Sequence, residues 1–409
     1  MPKAKKKSSD IPSPQVAHAK LPSRFLWGAA TAAHQVEGDT YNDWTEWERE
    51  HAEGLATRAT SWPEKTQTQF PEMLTKENYI SGSGADHYHL YKKDFQIAAS
   101  LHHNAHRFSI EWSRIEPRED IFSEDAIEHY RGVIKELKRL DIEPIVTLYH
   151  WTLPLWFRDK GGWLHHEAPH RFARFADRMS REFPEVKFWV TINEPTVYAS
   201  HGYLLGQWPP MRKGLFLYLS ALKQLVKAHS LAYKRIHKHQ SHTYVGIASH
   251  NKDFKGFFAP IKSALWNHWF LKRIRNTQDF IGLNYYFSER KGNYLSDMGW
   301  KLVPEGIEHA LVDLKKYHKP VIITEVGLAD ATDEHRSWYI ASTVQAMKRA
   351  MEQGVDVWGY LHWSLLDNFE WDKGFWPRFG LVAIDYKTKK RKIRPSAEIY
   401  KDIIDKWEA

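Results

Sequence analysis

The sequence predicts an α/β protein: a single (β/α)8 barrel with its active site at the C-terminal ends of the strands. Three observations carry this. Eight short apolar runs recur along the chain without polar alternation, as in a parallel sheet buried on both faces. Each is followed by a segment with helical periodicity. Side chains able to do chemistry collect where the apolar runs stop, which is where barrels of parallel strands place their sites.

The elements follow in order. Residues 1–21 are rich in Lys, Ser and Pro and read as a disordered basic tail. Residues 22–409 form the barrel domain. Its first strand is Phe25 to Ala30, closed by His34-Gln35-Val36-Glu37-Gly38. A polar connection to about Ala85 holds Trp44, Trp47 and Trp62 and is expected to be a mobile loop beside the site. A helix over 87–101 leads to a strand over 105–112. A helix over 124–140 leads to a strand over 143–151. A helix over 169–183 precedes the run FWVTINEP (188–195), whose Pro195 marks a strand exit. The second half repeats the pattern. Helices are expected over 214–239, 255–275, 305–317, 333–353 and 394–407, and strands over 243–249, 279–286, 319–325 and 355–363. A doubly wound open sheet is the alternative, but it normally carries a glycine-rich phosphate loop after its first strand, and Gly28 and Gly38 do not make one.

Composition narrows the function. Of 409 residues, 58 are Lys or Arg and 50 are Asp or Glu, for a net charge of +8. Part of that excess is local, at Lys3 to Lys7 and Lys387 to Arg394. With no nucleic-acid-binding motif beside it, the excess reads as solvated surface rather than a nucleic-acid interface. The 19 Trp, 19 Tyr and 20 Phe provide a large core and flat faces suited to sugars. There is no Cys, which excludes disulfides and thiolate metal sites and fits a reducing compartment. No apolar leader and no window of 18 apolar residues occurs, so a cytoplasmic protein without a membrane span is expected.

The strand ends carry Gln35, Arg107, His150, Asn193 and Glu194, Asn284 and Tyr286, Glu325, and Trp363. No phosphate cradle, nucleophile elbow or redox fingerprint is among them. Glu194 and Glu325 end the fourth and seventh strands and can face one central pocket. Two carboxylates flanking a bond are what glycoside hydrolysis needs.

The chain resembles family 1 of the glycoside hydrolases, the β-glucosidase family, over about residues 22–407. The motifs are FLWGAATAAHQVEG (25–38), HRFSIEWSRIEP (106–117), TLYHWTLPLW (147–156), TINEP (191–195), IGLNYY (281–286), ITEVG (323–327), LHWSLLDNFEW (361–371) and RFGLVAIDY (378–386). The resemblance implies Glu194 as acid/base, Glu325 as nucleophile, and a retaining mechanism with no cofactor and no metal. It implies that Arg107 and Tyr286 contact the nucleophile and lower its pKa. It makes Asn193 the partner of the sugar 2-hydroxyl and assigns Gln35, His150, Glu370 and Trp371 to the sugar hydroxyls, with Trp363 as aromatic floor. Asn284 is counted with the substrate-binding set. The implied ligands are small β-glucosides or oligosaccharides, with β-galactosides and β-fucosides open. A carboxylate at Glu370 would repel a 6-phosphate. The oligomeric state is not readable.

Two departures stand out. The family's usual TENG reads Thr324-Glu325-Val326-Gly327 here, so an amide gives way to valine beside the nucleophile. That is either a packing exchange or weaker support for Glu325. The segments 194–284 and 286–324 also look trimmed, which predicts shortened loops, weaker order and a more open leaving-group side around strands 5 and 6. The cluster Trp266-Asn267-His268-Trp269-Phe270 would then be core or a partly exposed aromatic patch.

Other motifs are read as structural. His166-Glu167-Ala168-Pro169-His170 matches HExxH, but Pro169 keeps His166 off the following helix. His102, His103 and His106 lead into a strand, and Glu111 and Glu116 read as salt-bridged loop residues. A sugar- or aromatic-ligand-binding protein on a hydrolase scaffold, and a transglycosylase, are the alternatives to a hydrolase.

Overall fold

The structure, a computed structural model, describes residues 24–408. The basic tail expected over 1–21 lies outside the described residues. Eight parallel strands close into a barrel. They are β1 (Leu26–Ala30), β2 (Ala105–Ser109), β3 (Glu143–Tyr149), β4 (Phe188–Asn193), β5 (Tyr244–His250), β6 (Ile281–Tyr285), β7 (Val321–Val326) and β8 (Val357–Trp363). Closure comes from β1, which pairs with β2 on one side and with β8 on the other, Ala30 facing Trp363. All eight are buried nearly throughout, which is why their sequences run apolar without alternation.

The barrel interior is filled by side chains from successive strands. Leu26, Ala105, Ile145, Phe188, Val190, Ala248, Ile322 and Leu361 form one buried cluster. This plug closes the barrel beneath the strand ends, so the site above it has a floor. A second, larger core lies between strands and helices. There α2 (His87–Ser100), α3 (Glu124–Arg139), α4 (Ala168–Glu182), α5 (Leu215–His239), α8 (Gly306–Leu314), α9 (Arg336–Glu352) and α10 (Pro395–Glu408) bury one face each. No helix among the described residues is long and apolar enough to cross a membrane.

The connection from Gly38 to Ala85 is not the loop expected of it. Most of it is helical, led by α1 (Asp43–Ala59). Asn42 caps α1, accepting from the backbone of Trp44 and Thr45, while the Thr45 hydroxyl accepts from the Asn42 N–H. Asp43 fastens the helix to the barrel: its N–H donates to Leu153 O at 3.0 Å and its carboxylate accepts from Leu153 N at 2.7 Å. Trp44 and Trp47 are buried. This segment is a packed wall of the site.

The helix expected over 255–275 is two helices, α6 (Ala259–Trp266) and α7 (Trp269–Ile274). Asn267 sits at the break. Its side chain accepts from Lys252 N at 3.0 Å and donates to Lys252 O at 2.9 Å, tying the break to the end of β5. In the cluster around it, Asn267, His268 and Phe270 are buried and Trp266 and Trp269 half-buried. No side chain of α6 is fully buried, and Phe257, Phe258, Ile261 and Leu265 are exposed.

Candidate active site

The strand ends open into a cavity of about 370 Å³, lined among others by Gln35, His150, Asn193, Glu194, Glu325 and Glu370. That volume suits a small ligand. Register brings the chemistry together: β5, β6 and β7 place His250 beside Asn284 and Asn284 beside Glu325. Glu194 follows β4, its N–H donating to Ala248 O at 2.7 Å. Its backbone is left-handed, φ 43°, and so are those of two neighbouring cavity residues, Trp151 at 77° and Trp371 at 49°. For side chains of this size that conformation is strained, and such strain concentrates at functional sites.

The two carboxylates have different partners. Glu325 is ion-paired with the Arg107 guanidinium and accepts from the Tyr286 hydroxyl at 2.9 Å. Glu194 accepts from Asn284 Nδ2 at 2.7 Å and has no salt-bridge partner among the described residues. Burial, then the charge of Glu325, pushes the Glu194 carboxyl up to about 8. Glu325 is also raised, because burial outweighs the opposing pull of Arg107 and Tyr286. Arg107 and Tyr286 act in the expected direction, lowering the Glu325 pKa, but burial is the larger effect. They restrain the rise without reversing it. Burial, with the charge of Glu325, keeps the Tyr286 phenol protonated and able to donate.

Arg107 organises more than Glu325. Its Nη2 donates to Asn193 Oδ1 at 2.7 Å and its Nε to Thr147 at 3.0 Å. With its oxygen so engaged, the Asn193 amide turns its nitrogen to His150 Nε2, at 3.1 Å. His150 must then accept at Nε2 and carry its proton on Nδ1. Burial, with the Arg107 charge nearby, holds that imidazole neutral. His150 Nδ1 has no partner among the described residues, and neither has the buried Gln35 Oε1. Gln35 Nε2 donates to Asn368, to Phe369 O and, at 3.4 Å, to Glu370. Burial and the charges of Asp372 and Glu325 push Glu370 up to about 8. Buried polar atoms left unpaired by protein are costly, so a hydroxylated ligand suits this wall. Trp363 and Trp371 supply ring faces to the same cavity.

Asn284 departs from the expected set. It is fully buried and does not line the cavity. Its amide donates to Glu194 and Asn193 and its oxygen accepts from Thr324. It holds Glu194 in place rather than meeting a ligand. Val326 is fully buried in the core between β6 and β8, where its side chain packs among apolar neighbours. Gly327 beside it allows close approach, since a Cβ there would stand 1.9 Å from Trp363 O.

Several cavity residues were not singled out from sequence. His201, Trp208, His250, Lys252 and Trp300 all line it. His250 could have been found: β5 runs one residue further than expected and ends on it. The remaining motifs are structural. Helix α4 begins at Ala168, so the exposed His166 does not share its face with His170. Glu111 accepts from Ser113 and Thr152, and Glu116 pairs with Arg174. His103 and His106 are buried and kept neutral by burial.

The sequence model of glycosyl hydrolase family 1 matches residues 17–257 and 291–409. The chain belongs to glycosyl hydrolase family 1. Among family 1 relatives, a 1,4-beta-D-glucan glucohydrolase of Thermotoga neapolitana is 30% identical over 455 aligned positions, covering 94% of this chain and 98% of the relative. A beta-galactosidase of Pyrococcus woesei is 29% identical, covering 94% of this chain and 97% of the relative. Alignments longer than the 409-residue chain mean that these family 1 enzymes contain segments absent here. Among solved structures, a beta-glycosidase from Pyrococcus horikoshii is 35% identical with a TM-score of 0.84, covering 94% of this chain and 95% of that one. The beta-glucosidase from Thermotoga maritima in complex with glucoimidazole is 29% identical with a TM-score of 0.82, covering 95% and 99%. The protein is thus a glycoside hydrolase of the β-glycosidase type. The unmatched family 1 stretch, 258–290, contains α6, α7 and β6.

Proposed function

We propose that the protein hydrolyses non-reducing terminal β-D-glucosyl residues of small glucosides or oligosaccharides with retention, and that it also admits β-galactosyl or β-fucosyl groups. The observation that carries this is the unequal setting of the two carboxylates. Glu194, protonated at neutral pH and without a cationic partner among the described residues, gives its proton to the leaving oxygen as the glycosidic bond breaks. Glu325, paired with Arg107 and Tyr286, attacks the anomeric carbon and forms a glycosyl ester. The Glu194 carboxylate then takes a proton from water. That water displaces Glu325, and both groups return to their starting states. Both steps use side chains and water alone.

Asn193 would meet the 2-hydroxyl, and Gln35, His150, Glu370 and Trp371 the other hydroxyls over the Trp363 floor. The unpaired His150 Nδ1 and Gln35 Oε1 support that assignment. With its pKa pushed up to about 8, Glu370 is protonated at neutral pH and bonds a plain hydroxyl; it would oppose a 6-phosphate by charge only at higher pH. The names of the relatives, glucosidases and galactosidases, leave the choice of sugar open. Replacing Glu325 with Gly is expected to lower kcat on 4-nitrophenyl β-D-glucoside by about four orders of magnitude or more without unfolding the protein. A kcat near wild type in that variant would refute the assignment.

A further inference from the structure

The cavity is also lined by aromatic rings, among them Trp208, Trp266, Phe287 and Trp300, together with two lysines. Lys373 is paired with Asp372 at 2.8 Å. Lys252 has no salt-bridge partner among the described residues, although it is only partly exposed. Placing an unpaired ammonium group in a cavity wall is costly unless the site uses it.

Lys252 is held there by several contacts. Its backbone is pinned on both sides by the buried Asn267, through the bonds of 3.0 and 2.9 Å at the break between α6 and α7. Its Nζ sits 4.1 Å from the centre of the Trp266 ring and 5.5 Å from that of Phe287. Trp266 is fixed in turn by its indole N–H, which donates to His250 Nδ1 at 3.3 Å. Because an indole nitrogen only donates, His250 accepts at Nδ1 and carries its proton on Nε2. Burial lowers the Lys252 pKa from its ordinary value, and the nearby carboxyls of Glu194 and Glu289 oppose that shift. Glu289 is already bonded to Lys262. Trp266, Asn267 and Phe287, which hold Lys252, lie in the stretch 258–290 that the family model does not match.

We propose that Lys252 determines leaving-group specificity, selecting aromatic aglycones that carry a carboxylate. The rings supply faces for a flat aglycone, the ammonium group supplies the counter-charge, and the His250 N–H supplies a second donor beside it. The proposal rests on the β-glycosidase reading and adds the chemistry of the leaving group.

The test compares 4-carboxyphenyl β-D-glucoside with its methyl ester on wild type, Lys252→Met and Lys252→Arg. Comparing the acid-to-ester ratio of kcat/KM between enzymes cancels the unequal leaving abilities. The ratio is expected to fall about tenfold in Lys252→Met, to recover largely in Lys252→Arg, and to fall with added salt in wild type. An unchanged ratio in Lys252→Met would overturn the proposal. So would an equal loss on both substrates with a displaced basic pH limb, which would make Lys252 a positioning residue for Glu194. If wild type cleaves neither substrate, the hydrolase reading fails separately. Quenching of tryptophan fluorescence by 4-hydroxybenzoate then decides the matter: weaker binding to Lys252→Met supports the proposal and equal binding overturns it.

Discussion

Glu194 and Glu325 share one buried cavity; the proposed mechanism requires them to hold opposite protonation states, and their contacts differ accordingly. Arg107 and Tyr286 oppose the effect of burial on Glu325, whereas Glu194 has an amide from Asn284 and the adverse charge of its partner. Activity needs Glu194 protonated, so kcat/KM is expected to fall as pH rises through about 8. Activity also needs Glu325 ionised, so the acid limb should lie above the ordinary glutamate range, near 4.3. In Glu194→Gln, with 2,4-dinitrophenyl β-glucoside as a substrate whose leaving group needs no proton, the basic limb should vanish. Its persistence would assign that limb elsewhere. Removing the Tyr286 hydroxyl (Tyr286→Phe) should move the acid limb to higher pH, because Glu325 loses a donor to its ionised form. The two glutamates were legible in the sequence, since each ends an apolar run beside a recognisable motif. The role of Asn284 was not, because a strand end does not say which neighbour its amide faces. The lowering effect of Arg107 on Glu325 was legible in sequence, but the burial that outweighs it was not.

At the scale of elements, helix α1 departs most from what the sequence suggested. Its composition is polar, it contains Gly54, a poor helix former, and its cap is an Asn-Thr pair rather than the more recognisable Ser and Glu. What makes it a helix is tertiary: Trp44 is buried, 4.6 Å from the Trp371 ring and 5.6 Å from Trp208. Asn42→Ala should cost about 1 kcal/mol in chemical denaturation, with a raised KM because Trp371 loses its backing. An unchanged midpoint and KM would mean that α1 does not brace the site. Strand β5 shows the converse. It was recognised, but placing its end one residue early hid His250 from the list of site residues. Helix boundaries carry the same error at 255–275, where Asn267 breaks the helix through bonds to Lys252 that local periodicity does not encode.

At the scale of the molecule, eight apolar runs were enough to identify a barrel because a parallel sheet buried on both faces has few other ways to close. How the part around β5 and β6 is finished was not legible in the sequence. Helix α6 lies on the surface, with Phe257 91% exposed and Phe258 62% exposed. Replacing either by Ser should change the unfolding free energy by less than about 0.5 kcal/mol and reduce association at high concentration. A large loss of stability would place them in a core. On the proposed mechanism the barrel sets Glu194 and Glu325 against one glycosidic bond, and the stereochemistry of the product reports that arrangement directly. Following hydrolysis of 4-nitrophenyl β-D-glucoside by proton NMR from the first turnovers, the account predicts that β-glucose appears first and mutarotates to the α anomer later. If α-glucose appears first, Glu325 does not act as the nucleophile and the central claim is wrong.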